Sequence, residues 1–151
     1  MHPQEPDASR RERMAVLARC DAASLGRLWA GLGIDAAHRP LRGPETGLVM
    51  LRGRIGGTGD AFNLGEATVT RASVRLDDGS VGHSMALGRD KARARLSAVI
   101  DALCRDPGTA ARIDAHVIAP LRCELDEEDG RRRRQAAATK VNFFTMVRGE
   151  D

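Results

Sequence analysis

The sequence predicts an α+β fold: a small antiparallel sheet of three to four strands with an N-terminal helical hairpin and C-terminal helices. Apolar residues recur at helical spacing near both ends of the chain, and polar and apolar residues alternate in its middle. Asp78-Gly79 is typical of a tight β-hairpin. A length of 151 residues indicates one domain. Its predicted parts are a flexible N-terminus (1–8), a helical hairpin (9–33), the sheet (40–87), helices (88–140) and a partner-binding tail (141–151).

The helical hairpin is predicted from capping residues and an apolar stripe. Ser9 and Glu12 match the S-x-x-E capping box that begins a helix. Asp21 can cap a second helix, whose leucines and single tryptophan share one face. Gly33 can end that helix in the left-handed conformation.

The sheet is predicted as consecutive strands joined by glycine-containing turns. Thr46–Ile55 is rich in β-forming residues and has apolar side chains on both of its faces. Gly56–Asp60 follows as a turn, and Glu66–Leu76 alternates as a half-buried strand does. After Asp78-Gly79, the residues Val81, His83, Met85 and Leu87 continue a return strand.

Three further helices are predicted after the sheet. The first has a clear apolar face, and Asp106-Pro107 matches an N-cap with proline at the first position of the next. That helix is expected to stop before Pro120. The last helix is very polar, so it either projects into solvent or docks on another protein. Its acid-then-basic order pairs Glu127 with Arg131 and Glu128 with Arg132.

The composition disfavours several classes of function. Aromatic residues make up 3% of the chain, which disfavours a carbohydrate cleft, an aromatic cage or a base-stacking platform. The 24 basic and 21 acidic residues leave a net charge of only +3. The basic run Arg131–Arg134 directly follows an acidic segment, which favours a solvated, self-paired helix face over a phosphate-binding patch. We therefore expect no nucleic-acid partner, and an independent nucleic-acid-binding protein is the least favoured alternative function.

The cysteines indicate reduced thiols in a cytoplasmic protein. Cys20, Cys104 and Cys123 are widely spaced and form no CxxC motif. A zinc site from Cys104, His116 and Cys123 lacks both the usual spacing and a fourth ligand, so we expect no metal. The N-terminus has no apolar core of a signal peptide, and no stretch approaches a membrane span.

Two places could bind an anion through backbone groups. The turn Gly56-Gly57-Thr58-Gly59 could cradle a phosphate, but it lacks the Gly-Lys-Ser/Thr ending of a P-loop. Arg89 and Lys91 lie where a strand meets a helix N-terminus, which attracts anions. Asp90 is also an excellent N-cap for the same helix, and this interpretation is favoured.

Side chains of the sheet offer a third candidate. Arg71 and Arg75 share one strand face with Ser73 and could grip an oxyanion, or they could simply form the solvent face. His83 is expected to be a structural histidine rather than a catalytic base. The sequence shows no Ser/His/Asp set and no paired carboxylates, so no catalytic residue is predicted.

The end of the chain is a candidate protein-binding segment. Val141–Gly149 places two of the three phenylalanines after a polar helix. Binding to a partner and folding back on the chain's own sheet are both open for this segment. The residues predicted to contact a partner are Phe143, Phe144, Met146, Val147 and Arg148.

Several motifs together resemble the PhnG family, the small subunit of the bacterial carbon–phosphorus lyase machinery. The resemblance runs in order from the first helix to the tail, and only the charged segment Glu124–Arg134 has no matching motif. The motifs are Glu45-Thr46-Gly47-Leu48-Val49, Gly56-Gly57-Thr58-Gly59, Gly65-Glu66-Ala67-Thr68, Thr70-Arg71-Ala72, Val74-Arg75-Leu76, Gly88-Arg89-Asp90 and Phe143-Phe144-Thr145-Met146-Val147-Arg148-Gly149.

The resemblance implies a role within a larger enzyme. Members of that family act with the H, I and L subunits to replace the adenine of MgATP by an alkylphosphonate, giving ribose 1-alkylphosphonate 5-triphosphate. The core complex also contains J, the radical iron–sulfur subunit. The chain is then expected to bind no cofactor itself, MgATP being a substrate of the complex. Two hypotheses follow: a scaffold that binds the I subunit, or a direct contributor whose Arg71, Arg75, Arg89 and Lys91 hold the triphosphate or phosphonate.

Overall fold

Helices and strands follow one another in the order that the α+β prediction requires. The computed structural model describes residues 8–54 and 59–139. The elements are α1 (Ala8–Arg19), α2 (Ala22–Leu32), β1 (His38–Gly53), β2 (Phe62–Leu76), β3 (Val81–Leu87), α3 (Lys91–Leu103), α4 (Pro107–Ile113), a π-helical turn (Asp114–Ile118) and α5 (Ala119–Ala138). The predicted fold class is confirmed, with the strands forming an antiparallel sheet in the order β1-β2-β3.

Predicted capping residues begin three of the helices. The carboxylate of Asp21 accepts the backbone N–H of Ser24 at 2.9 Å, and Gly33 ends α2 with a φ of 62°. Asp90 and Asp106 cap α3 and α4 in the same way. The prediction for Ser9 is wrong: α1 is already helical at Ala8, so Ser9 lies inside the first turn rather than in front of it.

The Asp21 cap makes helix stability depend on pH. Its hydrogen bond from Ser24 holds the pKa of Asp21 below its ordinary value of 3.8. The stabilisation is therefore complete above pH 4 and is lost as pH falls through the lowered pKa. We expect Asp21→Ala to cost about 1 kcal/mol at pH 7, and less at pH 3. Asp21→Asn, which can cap without a charge, should show a smaller loss at pH 7; urea unfolding at both pH values checks this. An Asp21→Ala deficit that grew on acidification would contradict it.

β1 is longer than predicted because an edge strand tolerates proline. It starts at His38 instead of Thr46 and includes Pro40 and Pro44. Proline lacks the backbone N–H, which a central strand needs and an edge strand can omit. The β1–β2 register shifts between Pro40 and Glu45, and then runs continuously from Glu45 opposite Arg71.

The sheet packs against α3 through unusually small residues. Gly82, Ser84 and Ala86 of β3 are buried, as are Ala94, Ala98 and Ala102 of α3. A Cβ added to Gly82 would lie 2.0 Å from the carbonyl oxygen of Ala98. The strand and the helix thus approach backbone to backbone, and the larger alternate side chains of β3 face the other way.

A second core lies among the helices. Its fully buried members come from α1, α2, α3, α4, the π-helical turn and α5, and it joins the sheet-side core through Trp29 and Leu103. The buried side chains are Val16, Leu17, Cys20, Leu25, Ile100, Ile113, Val117, Ile118 and Leu121.

Pro120 does not end the helix, so this prediction is wrong. The chain passes from α4 through the π-helical turn into α5 without leaving the helical conformation. In the turn, Ala119 donates its N–H to the Asp114 carbonyl, five residues back. The wider turn gives the proline ring space and leaves its missing N–H without consequence, as π-turns within helices do.

The polar helix α5 packs through its first half and projects through its second. Leu121 is buried, and Asp129 accepts two hydrogen bonds from Arg19 of α1. Residues 131–138 are all exposed. The predicted Glu128–Arg132 pair forms, whereas Glu127 accepts a hydrogen bond from the Cys123 thiol. None of the helices over residues 8–54 and 59–139 has the length and apolar character needed to cross a bilayer.

Candidate interaction surface

Large apolar side chains are exposed on the strands. Clusters of exposed large apolar side chains often mark interaction sites in monomers. Among the described residues, every exposed large apolar side chain lies on β1, β2 or β3: Leu41, Leu48, Met50, Leu51, Phe62, Leu64, Met85 and Leu87. The sheet is therefore the candidate interaction surface.

β1 and β2 extend beyond the rest of the fold as a two-stranded β arm, formed by residues 48–53 and 62–68. β3 ends at Leu87, opposite Val69, so no third strand accompanies the arm. Leu48 and Met50 lie on the face that continues toward α3, and Val49 and Leu51 on the other. An isolated two-stranded ribbon is only marginally stable in water. The arm exposes apolar groups on both of its faces, which is typical of an interaction surface.

The root of the β arm is held by a chain of hydroxyl groups. Thr70 is fully buried, and its Oγ1 lies 3.0 Å from Oγ1 of Thr46 on the neighbouring strand. The same hydroxyl donates to the carbonyl oxygen of Gly88 at 2.8 Å. Because one hydroxyl connects β1, β2 and the end of β3, the arm leaves the body from a defined position.

The sheet face that points away from α3, here called the outer face, changes from basic to apolar along the strands. At its basic end, Glu45 accepts hydrogen bonds from Arg42 at 3.0 Å and from Arg71 at 3.4 Å. The register places Arg39 opposite Arg75 on the same face. Toward the arm, Met85 lies opposite Arg71, and Leu87 lies opposite Val69.

The four predicted anion-binding residues lie in two places. Arg71 and Arg75 are on the outer face, where Arg71 shares a depression of about 170 Å³ with Glu45 and Met85. Arg89 and Lys91 line a cleft of about 500 Å³ on the opposite face. The structure thus brings the residues together in pairs rather than around one ligand.

Neither pair has a ready-made anion pocket. Arg71 is half-exposed and already paired with Glu45. Next to Arg89 and Lys91, Asp90 occupies the N-terminus of α3 and accepts the Arg93 N–H at 2.8 Å. Arg71, Arg89 and Lys91 are exposed, and such cations fit a protein surface better than an enclosed phosphate site. Arg75 differs from them: it is half-buried, and its Nε is buried without a hydrogen-bond partner.

The other predicted site residues have structural surroundings. The Nδ1 atom of His83 lies 2.8 Å from the Ser73 hydroxyl, and its backbone N–H donates to Asp101. Burial raises the pKa of Cys20 and of Cys104 to about 11, so both thiols stay protonated at neutral pH. His116 and Cys123 are exposed, and the described ranges contain no cluster of three potential metal ligands.

Three predicted features lie outside the described residues. They are the flexible N-terminus apart from Ala8, most of the glycine turn, Gly56–Thr58, and the tail with Phe143, Phe144, Met146, Val147 and Arg148. All three stay predictions. The β arm itself was not recognised as a projection from the sequence, although the apolar residues on both faces of Thr46–Ile55 were the signal for it.

A family model and a curated relative both match nearly the whole chain. A family model described as phosphonate metabolism protein PhnG matches residues 8–149. Alpha-D-ribose 1-methylphosphonate 5-triphosphate synthase subunit PhnG of Rhizobium meliloti (strain 1021) is 54% identical over 144 residues, which cover 95% of this chain and 92% of that protein. The matched region includes the complete sheet and the β arm.

Proposed function

Because this chain belongs to the PhnG family, we propose that it is an accessory, scaffolding subunit of a synthase that makes ribose 1-alkylphosphonate 5-triphosphate. The substrates of this synthase are MgATP and an alkylphosphonate, and the reaction releases free adenine. In this proposal the chain binds the I subunit directly within a cytoplasmic core complex that also contains the H and J subunits, and the L subunit takes part in the reaction.

One observation carries the proposal: apart from Leu41, the exposed large apolar side chains of the described residues lie on the β arm or on the adjoining outer face. Each large apolar side chain covered by a partner contributes about 1.5–3 kcal/mol when fully buried. The two cavities that hold Arg71, Arg89 and Lys91 are lined by a single carboxylate, Glu45, and by no histidine or cysteine, which supports a structural contribution to a site formed by other subunits.

We expect charged substitutions in the apolar part of the outer face to weaken the complex. Met85→Lys with Leu87→Lys should lower the affinity for the I subunit by roughly 100-fold, because two apolar contacts are replaced by desolvated charges. Both side chains are exposed, so the free chain should fold normally. Calorimetric titration with the purified I subunit measures the effect.

Leu41→Lys is a matched control for this pair. Leu41 is 47% exposed and Leu87 is 46% exposed, but Leu41 lies near the start of β1, away from the arm. The control should bind as the unchanged chain does. Equal affinity for all three proteins would contradict a docking role of the apolar surface.

A second candidate function is a direct contribution of arginines to the shared active site. The excess of positive charge at the basic end of the outer face supports this alternative. There Arg42 and Arg71 share one carboxylate, Glu45, so two positive charges face a single negative one. Under this alternative, Arg71→Ala and Arg89→Ala leave assembly intact and slow the release of adenine from MgATP. Under the scaffold proposal, correctly assembled complexes of both variants turn over normally.

A further inference from the structure

The two outer edges of the sheet differ in how many of their backbone hydrogen-bonding groups are occupied. On the free edge of β3, side chains of α3 and the residues after it occupy backbone groups that would otherwise be unpaired. Asp101 accepts the His83 N–H at 2.9 Å, and Arg105 donates to the Val81 carbonyl at 3.0 Å. Arg93 donates to the carbonyl of Leu87. Side chains thus occupy three of the outward backbone groups of β3, near both ends of the strand, which makes this edge less suited to an additional strand.

The free edge of β1 is open over the β arm and its root. Gly88 donates its N–H to the Thr68 carbonyl, so the even-numbered residues of β2 direct their N–H and C=O groups toward β3. The odd-numbered residues of β2 therefore direct theirs toward β1 and pair with it. In β1, Gly47 and Val49 therefore form the ladder bonds. The N–H and C=O groups of Thr46, Leu48 and Met50 point outward, and no hydrogen bond from residues 8–54 or 59–139 reaches them.

Only this part of the β1 edge is suited to pairing. The first half of the strand is interrupted by Pro40, Pro44 and two register shifts, which are common protections of an edge strand. From Thr46 to Leu51 the register is continuous and proline is absent. Six regularly oriented residues can template a further strand.

We propose that residues 46–51 of β1 take up an extended segment of a partner subunit as a fourth strand of the sheet. This inference rests on the proposed function, whose partner is the I subunit, and it specifies how that partner binds. The backbone groups of Thr46, Leu48 and Met50 supply the hydrogen bonds, and the exposed side chains of Leu48 and Met50 supply apolar contacts on one face.

The positive charge beside the β1 edge favours an incoming segment that carries an acidic residue. Arg89 and Lys91 line the same cleft as Thr46 and Leu48, and within the described chain neither forms an ion pair. An acidic residue in the incoming strand would complement them. A second copy of this chain would instead add its own arginine and lysine on the same side of the extended sheet, which disfavours self-pairing.

Hydrogen exchange tests the inference without any substitution. On addition of the I subunit, the amides of Thr46, Leu48 and Met50 should exchange at least roughly ten-fold more slowly, because they acquire new acceptors. The amides of Gly47 and Val49 already donate within the sheet and should change little. Binding without this alternation would overturn strand addition while leaving the scaffold proposal intact. Failure of the unchanged chain to bind would overturn both.

A proline substitution gives the matching affinity test. Leu48→Pro removes an outward N–H and no ladder bond, so the sheet should form while the affinity for the I subunit falls roughly ten-fold or more. Leu48→Ala, which keeps the N–H, should bind more tightly than Leu48→Pro. Equal affinity of the two variants for the I subunit would overturn the inference. It would also be overturned if the free chain formed a dimer that Leu48→Pro dissociates, because the edge would then pair with a second copy. If Leu48→Pro does not fold, the exchange pattern decides.

Discussion

Gly82→Ala should destabilise the free chain by about 3 kcal/mol or more. The added Cβ would lie 2.0 Å from the carbonyl oxygen of Ala98 and 2.4 Å from the backbone nitrogen of Ala102. Both atoms belong to the backbone of α3, so no side-chain rotation relieves the overlap. The helix as a whole must move away from the sheet, which loosens the contacts of Val74, Ala86 and their neighbours.

Gly47→Ala is the control for this substitution. Gly47 is also a strand glycine, but no atom lies within 4 Å of a Cβ built on it. Alanine there should stabilise the chain slightly, by about 0.5 kcal/mol, because glycine is the more flexible residue in the unfolded state. Urea unfolding of the two variants measures the difference. Equal stability would contradict the direct contact between β3 and α3.

Asp101→Ala should cost about 3 kcal/mol of folding free energy, the second largest effect expected. The carboxylate is 2% exposed and accepts hydrogen bonds from Arg10 Nε at 2.8 Å, from Arg10 Nη2 at 2.9 Å and from the His83 N–H at 2.9 Å. It connects α1, α3 and β3. Its removal leaves the partly buried N–H of His83 without its acceptor and removes the ion pair that connects α1 to α3.

Asp129→Ala is the control that distinguishes the buried hydrogen bonds of Asp101 from an exposed ion pair. Asp129 also accepts two hydrogen bonds from one arginine, Arg19, but its side chain is 33% exposed. Water replaces those bonds when the carboxylate is removed, so the unfolding midpoint should hardly move. Thermal unfolding of both variants decides the matter. Equal losses of stability in Asp129→Ala and Asp101→Ala would show that burial of the Asp101 carboxylate is not the cause of its effect.

Local patterns in the sequence predict the elements well where neighbouring residues alone determine the conformation. Asp21, Asp90 and Asp106 each cap a helix because a short carboxylate reaches the backbone N–H three residues ahead. The alternation of residues 66–76 predicts the burial of Ala72, Val74 and Leu76. The resemblance to the PhnG family is confirmed as well.

Predictions made from local rules are wrong where the surrounding structure supplies a compensation. Pro120 ends an isolated helix, but a π-helical turn packed through Val117 and Ile118 carries the chain past it. Pro40 and Pro44 do not prevent a strand, because β1 lies at an edge. In both cases the missing N–H is harmless at the position that the tertiary structure provides.

The sequence by itself determined the fold class, the caps of α2, α3 and α4, the strand faces and the family, since these depend on residue type and short-range spacing. Only the tertiary structure decided which apolar residues remain exposed. β3 stops opposite Val69, α3 covers one face of the sheet, and the paired strands run on beyond both. Apolar residues on both faces are equally typical of a strand that is buried on both sides, so the exposure of Leu48, Met50 and Leu51 was decided only by where the other elements end.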